Sequence, residues 1–251
     1  MTVTIFVQAL LLGIPVGLAL GLVGGGGSIL TVPILIGVIG LEPKAATSAS
    51  LVIVAVNAIA ALRVYMCEQL VQYRMAFTVT AAGLLGSIAG TWANHLISPQ
   101  ILTFAFTGLM VLIATKMLYS TSDETSSTHL VSISRIMLAG TLIGLTTGFF
   151  GVGGGFIIVP ALLALGLTMR QAVPTSLLVI ALNSLVALGL RLMAGANVPF
   201  AYALPMILGG IIGSSLAVRI APKIGNLGLR RAFAALILGL AAYLGMTAFS
   251  R

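Results

Sequence analysis

The chain has 251 residues, of which 59% are hydrophobic and only 6% are charged, and its formal net charge is +8. No soluble domain of this length has so few charged residues, so the composition excludes a water-soluble protein and indicates an all-α polytopic membrane protein. Because the basic residues lie between apolar stretches, we interpret the positive charge as a determinant of topology and lipid contact, and we expect no nucleic-acid partner.

Ten apolar segments follow one another along the chain. A helix needs about 20 residues to span about 30 Å of hydrocarbon, and most of the segments reach that length. The second and seventh segments are too short, so we predict about eight transmembrane helices plus two half-helix or re-entrant segments. The amino terminus lacks the basic region of a signal peptide, and we expect it to be retained as the first membrane helix. The segments cover 3–23, 28–40, 46–65, 75–96, 100–119, 135–150, 155–167, 171–194, 199–221 and 228–249.

Both short segments are preceded by glycine clusters of matching sequence. Residues 21–35 read GLVGGGGSILTVPIL and residues 148–162 read GFFGVGGGFIIVPAL, with four glycines and one proline at the same positions in both. The likeness continues, at an offset one residue shorter, in SLVIVAVN at 50–57 and SLLVIALN at 176–183. The sequence therefore predicts an internal duplication within one integrated membrane domain. Its parts are a first repeat at 1–119, a polar linker at 120–134 and a second repeat at 135–251.

The positions of the basic residues favour inverted repeats. If each half made four crossings, the halves would be parallel and the twelve Lys and Arg residues would divide equally between the two sides. If each glycine cluster instead turns the chain back, the halves are inverted and nine basic residues share one side, against Lys44, Arg191 and Arg251. This second arrangement obeys the positive-inside rule. We therefore predict a cytoplasmic linker and both termini outside.

The glycine clusters are candidates for a substrate site. The first N–H groups of a helix lack intrahelical partners, and together with the helix dipole they attract an anion. Inverted repeats would bring two such helix ends together near the midplane, where a broken helix is tolerated if it lines a cavity. The alternative is that the glycines only allow close helix packing. The candidate binding residues at the two clusters are Gly25, Gly26, Gly27, Ser28, Gly153, Gly154 and Gly155.

Polar side chains on the following helices complete the candidate site. Ser50 and Asn57 are seven residues apart on one helical face, and Ser176 and Asn183 repeat this spacing. An amide in hydrocarbon needs a partner, so each asparagine is expected either to bind the substrate or to cap carbonyls freed by the glycine break. Two arginines follow near the helix ends, where we interpret them as snorkelling to the headgroups, with a counter-ion role as the alternative. These are Arg63 and Arg191.

Several absences narrow the substrate class. The four acidic residues, Glu42, Glu68, Asp123 and Glu124, all lie in loops or the linker, whereas carriers of cations usually need a carboxylate within the membrane. Cys67 is the only cysteine, which excludes an internal disulfide and a thiolate metal site. No Walker motif is present. We therefore expect an anion carrier without metal or cofactor, and not an enzyme.

The paired segments GLVGGGGSILTVP and GFFGVGGGFIIVP, the two SLxxxxxN helices and the polar linker together resemble the sulfite exporter TauE/SafE family of bacterial permeases. The resemblance implies a secondary transporter of the bacterial cytoplasmic membrane that exports sulfite, sulfoacetate or other organosulfonates. Its expected partners are the small anion and membrane lipid; homodimerisation is left open. We expect alternating access at a site between the two repeats. An anion channel that uses the same glycine-lined backbone is the alternative, and a structural partner of another transporter is a third.

Overall fold

A computed structural model describes residues 3–66, 69–94, 99–119, 132–150 and 155–249, and these residues form helices and no strand. The last helical stretch, Phe200–Phe249, is interrupted at Gly225, whose φ of 71° and ψ of 170° are not helical. It therefore forms two helices, α9 (200–224) and α10 (226–249). The all-α prediction is confirmed. The preceding helices are α1 (Val3–Val23), α2 (Gly26–Gly37), α3 (Pro43–Met66), α4 (Tyr73–Asn94), α5 (Pro99–Tyr119), α6 (Ile133–Phe150), α7 (Gly155–Ala164) and α8 (Met169–Met193).

Within the described residues, six helices are long and apolar enough to cross a membrane: those in α1, α3, α4, α8, α9 and α10. The short segments form α2 and α7, with 12 and 10 residues, as the sequence predicts. At 1.5 Å per residue these helices are about 18 and 15 Å long, roughly half the hydrocarbon thickness. The chain is therefore a multi-pass membrane protein with two helices that cannot span the bilayer alone.

The chain reverses direction after α1. Gly24 has a φ of +75°, in the region that favours glycine, and its N–H donates to the carbonyl of Leu20 at 2.8 Å. Three residues later, Gly27 lies against Leu20 and Val16, so that no Cβ would fit there. Because Gly27 contacts residues one and two turns before the end of α1, the start of α2 folds back onto α1.

Two seams of closely packed helices join the halves of the chain. In the α1–α9 seam, a Cβ on Gly17 would overlap the carbonyl of Gly210; in the α4–α6 seam, a Cβ on Gly144 would overlap the carbonyl of Gly83. The offset that aligns the two glycine clusters also aligns Gly17 with Gly144 and Gly83 with Gly210, so the two contacts are equivalent. Each seam therefore takes one helix from each half. The same relation connects Gly13–Met206 to Gly140–Val79 and Gly21–Ser214 to Gly148–Ser87.

Helices α3 and α8 lie side by side in opposite directions. Near the start of α3, Ser48 accepts a hydrogen bond from Nη1 of Arg191 at the end of α8, at 3.4 Å. Just after α3, the N–H of Gln72 donates to Oγ1 of Thr175, near the start of α8, at 3.1 Å. The two helices that carry the matching SLxxxxxN sequences thus point in opposite directions.

Candidate functional site

The two glycine segments meet where α2 and α7 begin. A Cβ on Gly25, which precedes α2, would overlap the carbonyl oxygen of Gly155, the first residue of α7. A Cβ on Gly155 would overlap Oγ of Ser28 and lie 3.0 Å from the carbonyl oxygen of Gly25. Backbones from the two halves therefore touch. We call the contact between Gly24, Gly25, Ser28, Gly155 and Ser176 the glycine junction.

Two serine hydroxyls lie in the glycine junction. Ser176 of α8 is fully buried, and its Oγ occupies the place where Gly24 would carry a Cβ. It donates to the carbonyl of Val173 at 2.7 Å, and Ser28 donates to the carbonyl of Gly25 at 2.8 Å. Each hydroxyl proton would therefore have to rotate away from a backbone carbonyl to donate to an anion.

Backbone N–H groups at the start of α2 supply further donors. The N–H of Gly25 itself is committed to the carbonyl of Val23 at 3.0 Å, so the donors are those of the first helical residues, Gly26 to Ser28. The N-cap residue, Gly25, has no side chain that could accept hydrogen bonds from these N–H groups. Gly153 and Gly154 lie outside the described residues, so Gly155 is the member of the second cluster that the structure places at the junction.

The two asparagines differ in their surroundings. Asn57 is fully buried against Gly210 of α9, and neither Nδ2 nor Oδ1 has a hydrogen-bond partner among the described residues. Asn183 is only half-buried, although its Oδ1 also lacks a partner in that part of the chain. Asn57 therefore does not cap carbonyls freed at the glycine break, which was one of the two roles the sequence left open.

The remaining candidates lie along α3 and α8. Ser50 is buried and donates to the carbonyl of Thr47 in its own helix at 2.8 Å. Arg63 is exposed in the last turn of α3, as expected for a side chain that reaches the headgroups. Arg191 is half-buried and contacts Ser48 across the α3–α8 pair. The structure thus brings Ser28, Ser176 and the two helix starts together, and places the arginines at helix ends.

Tyr65 supports the junction in a way that the sequence reasoning did not anticipate. Its hydroxyl donates to the carbonyl of Gly21 at 2.9 Å, and the side chain is only 5% exposed. This carbonyl lacks its usual intrahelical donor because the N–H of Gly25, four residues on, donates to the carbonyl of Val23 instead. A buried tyrosine hydroxyl requires a partner, but the sequence does not indicate which one.

We expect Tyr65→Phe to lower the free energy of unfolding by about 1 kcal/mol, the usual net value of one hydrogen bond, because the Gly21 carbonyl loses its donor. Thermal unfolding in detergent measures the effect. Tyr73→Phe is the control, since that side chain is 45% exposed. Equal unfolding temperatures for the two variants would show that the Tyr65 bond does not hold the end of α1.

A small pocket of about 10 Å³ lies beside Tyr65, between the end of α3 and the start of α8. Arg170, Met169 and Val173 of α8 line it together with Ala221 and Leu229. One wall is the tyrosine that bonds the end of α1, and another carries an arginine.

Comparisons of the sequence with known proteins identify relatives among membrane transporters. The family model of the sulfite exporter TauE/SafE family matches residues 9–244. A protein of Xylella fastidiosa (strain Temecula1), named "Probable membrane transporter protein", is 34% identical over 236 residues, which cover 91% of this chain and 90% of the relative. YunE of Bacillus subtilis, with the same description, is 25% identical over 244 residues, covering 87% of this chain and 89% of the relative. No solved structure matches the chain. The chain belongs to the sulfite exporter TauE/SafE family of membrane transporters.

Proposed function

We propose that this transporter exports small sulfur-containing anions, such as sulfite, sulfoacetate or other organosulfonates, across the bacterial cytoplasmic membrane. It does so by alternating access at the glycine junction. The observation that carries the proposal is the backbone contact between Gly25 and Gly155, which places the starts of two half-helices from opposite halves at one point. An oxyanion there meets N–H groups and two hydroxyls without side chains in the way.

Charge supports an anionic substrate. All four acidic residues lie outside the apolar segments, whereas twelve basic residues give the chain its positive charge. A cation at the junction would face the positive end of the α2 dipole with no carboxylate to offset it. The family name and the N–H donors both favour an oxyanion.

The packing supports inverted repeats. Matched helices α3 and α8 run in opposite directions, and the two seams repeat the same glycine contacts at equivalent positions of the two repeats. Adding α5 and α6, with 21 and 18 residues, to the six candidate spans gives eight crossings with two half-helices between them. Rocking of one repeat against the other would then open the site to each side in turn.

The orientation supports export. In the inverted arrangement nine of the twelve basic residues, including Arg170, face the cytoplasm with the linker. The small pocket lined by Arg170 and Tyr65 then lies towards the cytoplasmic side, next to the end of α1. The excess of basic residues on that side would attract an anion from the cytoplasm.

Sulfite and sulfoacetate flux in proteoliposomes tests this function. We expect saturable flux in the wild type and a loss of about tenfold to a hundredfold in Ser176→Ala, Asn57→Ala and Asn183→Ala, since one hydrogen bond to a charged group contributes about 1.5–3 kcal/mol. Ser87→Ala is the matched control, because that hydroxyl also bonds its own helix but on an exposed part of α4.

Equal flux in the wild type and in all these variants would show that the substituted side chains do not bind the substrate. Flux that does not saturate and that generates a current would identify an anion channel at the same backbone site. Absence of flux for every sulfur oxyanion in the wild type would contradict the proposed substrate class.

A further inference from the structure

The two seams contain equivalent glycines, but different groups pack against them. Gly210 of α9 and Gly83 of α4 hold corresponding positions in the two repeats, and each packs against a glycine of the partner helix. A Cβ on Gly210 would overlap Nδ2 of Asn57 and lie 2.7 Å from its Oδ1. The nearest atoms to a Cβ on Gly83 belong instead to Gly140, at 3.3 Å, and Gly144, at 3.9 Å. The amide of α3 thus fills its place beside the seam glycine, whereas the amide of α8 does not.

The same difference extends one helical turn along both helices. Asn57 and Ala61 of α3 have no exposed surface. Their counterparts on α8, Asn183 and Ala187, are half-buried. An amide turned toward lipid would lose its hydrogen bonds to water, so the half-buried Asn183 is the asparagine better placed to meet water or a polar ligand.

We infer that the two asparagines pack alternately against seam glycines, Asn57 against Gly210 and Asn183 against Gly83. We call each of these glycine positions the seat of its asparagine. In the present structure Asn57 is withdrawn onto Gly210, and Asn183 is the amide available to substrate; in the opposite access state Asn183 would occupy Gly83 and Asn57 would be released. The inference rests on the proposed alternating access, and it assigns a positioning role to both glycines.

The polar atoms of the buried Asn57 explain why this side chain can leave Gly210. Its two polar atoms are unpartnered among the described residues, so burial opposes the packing that holds the side chain there. A fully hydrogen-bonded asparagine would lock one state. An unsatisfied one leaves the two states close in free energy, as a ligand-driven transition requires.

Thiol labelling tests the inference without reference to any substrate. In a Cys67→Ser background, Ala61→Cys reports on the α3 face and Ala187→Cys on the α8 face. Reaction with a small maleimide in proteoliposomes should be slower at the first reporter than at the second. Gly210→Ala removes the seat of Asn57 and should reverse this order, with a several-fold rise at position 61. Gly83→Ala blocks the opposite seat and should preserve the order and abolish cycling.

Each variant has its own check on folding. Gly83→Ala needs only a small adjustment, since the nearest atom would be 3.3 Å from the new carbon. If Gly210→Ala fails to insert, the double variant with Asn57→Ala removes the obstructing side chain and should restore insertion. In the double variant the amide no longer obstructs the new methyl group, so the labelling order should return to that of the wild type.

Labelling that shifts in the same direction in both glycine variants would overturn the inference. Unchanged labelling in folded Gly210→Ala would also overturn it, as would wild-type flux in Gly83→Ala. A reversed labelling order in Gly210→Ala and a preserved order in Gly83→Ala, without sulfite flux, would support the alternating seats and reject only the proposed substrate.

Discussion

Gly25→Ala and Gly155→Ala are each expected to reduce transport at least tenfold. In both variants the new methyl group meets backbone or a short side chain of the other half, at the carbonyl of Gly155 or at Oγ of Ser28. The carbonyl of Gly155 cannot move without its helix, and a methyl group on Gly155 stays 3.0 Å from the carbonyl oxygen of Gly25 even if Ser28 rotates away, so the two half-helix starts must separate. Overpacking of this kind costs about 1–3 kcal/mol or more. The separation would also move the N–H donors apart, and a displacement of about 1 Å in a binding geometry is enough for a large loss of activity.

Gly189→Ala and Gly108→Ala are the controls for these two variants. Both glycines are helical, and nothing lies within 4 Å of the position of a new Cβ. Alanine is the better helix former by about 0.5–1 kcal/mol, so these variants should be at least as stable as the wild type. Flux in proteoliposomes, normalised to inserted protein, separates the two groups. Wild-type flux in Gly25→Ala or Gly155→Ala would contradict the close contact of the two half-helices.

Gly17→Ala and Gly144→Ala should abolish stable folding rather than transport alone. Each methyl group would overlap the carbonyl of a seam glycine, Gly210 in one case and Gly83 in the other. A carbonyl within a helix cannot move without displacing its helix, so the seam must open along its length. In lipid the association of helices depends on close packing, because no water is released to drive it. We expect a loss of about 3 kcal/mol or more for each variant.

Size-exclusion chromatography and thermal unfolding in detergent measure this loss. Gly239→Ala of α10 is the control, since no atom lies within 4 Å of its Cβ position. Because the two seams repeat the same contacts, the two variants should be affected to a similar degree. A monodisperse Gly17→Ala with the unfolding temperature of Gly239→Ala would show that α1 and α9 are not in backbone contact.

The helical segments could be predicted because a membrane chain shows them directly in its composition. The predicted segment 28–40 became α2 at Gly26–Gly37, and the break between 221 and 228 became the interruption at Gly225. The contact of Gly25 with Gly155 is the arrangement that the sequence analysis expects if the two repeats are inverted. Local patterns were sufficient for these features.

Other features depend on contacts that no local pattern reveals. Tyr65 bonds Gly21 because the N–H of Gly25 is diverted to Val23, and this diversion depends on the positive φ of Gly24. The sequence also treats Asn57 and Asn183 as equivalent. Only the packing of α3 on Gly210 distinguishes them, since identical residues on matched helices acquire different surroundings when the two halves are not in the same relative position.

The two seams have different consequences for how the protein is assembled during synthesis. Gly144 follows Gly83 closely in the chain, whereas Gly210 lies near the opposite end from Gly17. At about 5–20 residues per second, the partner of α4 is made within about 3–12 s, but α1 waits about 10–40 s for α9. The α4–α6 seam therefore forms first, and the first helix to be made completes its packing near the end of translation. Until then its glycine stripe faces lipid or the insertion machinery.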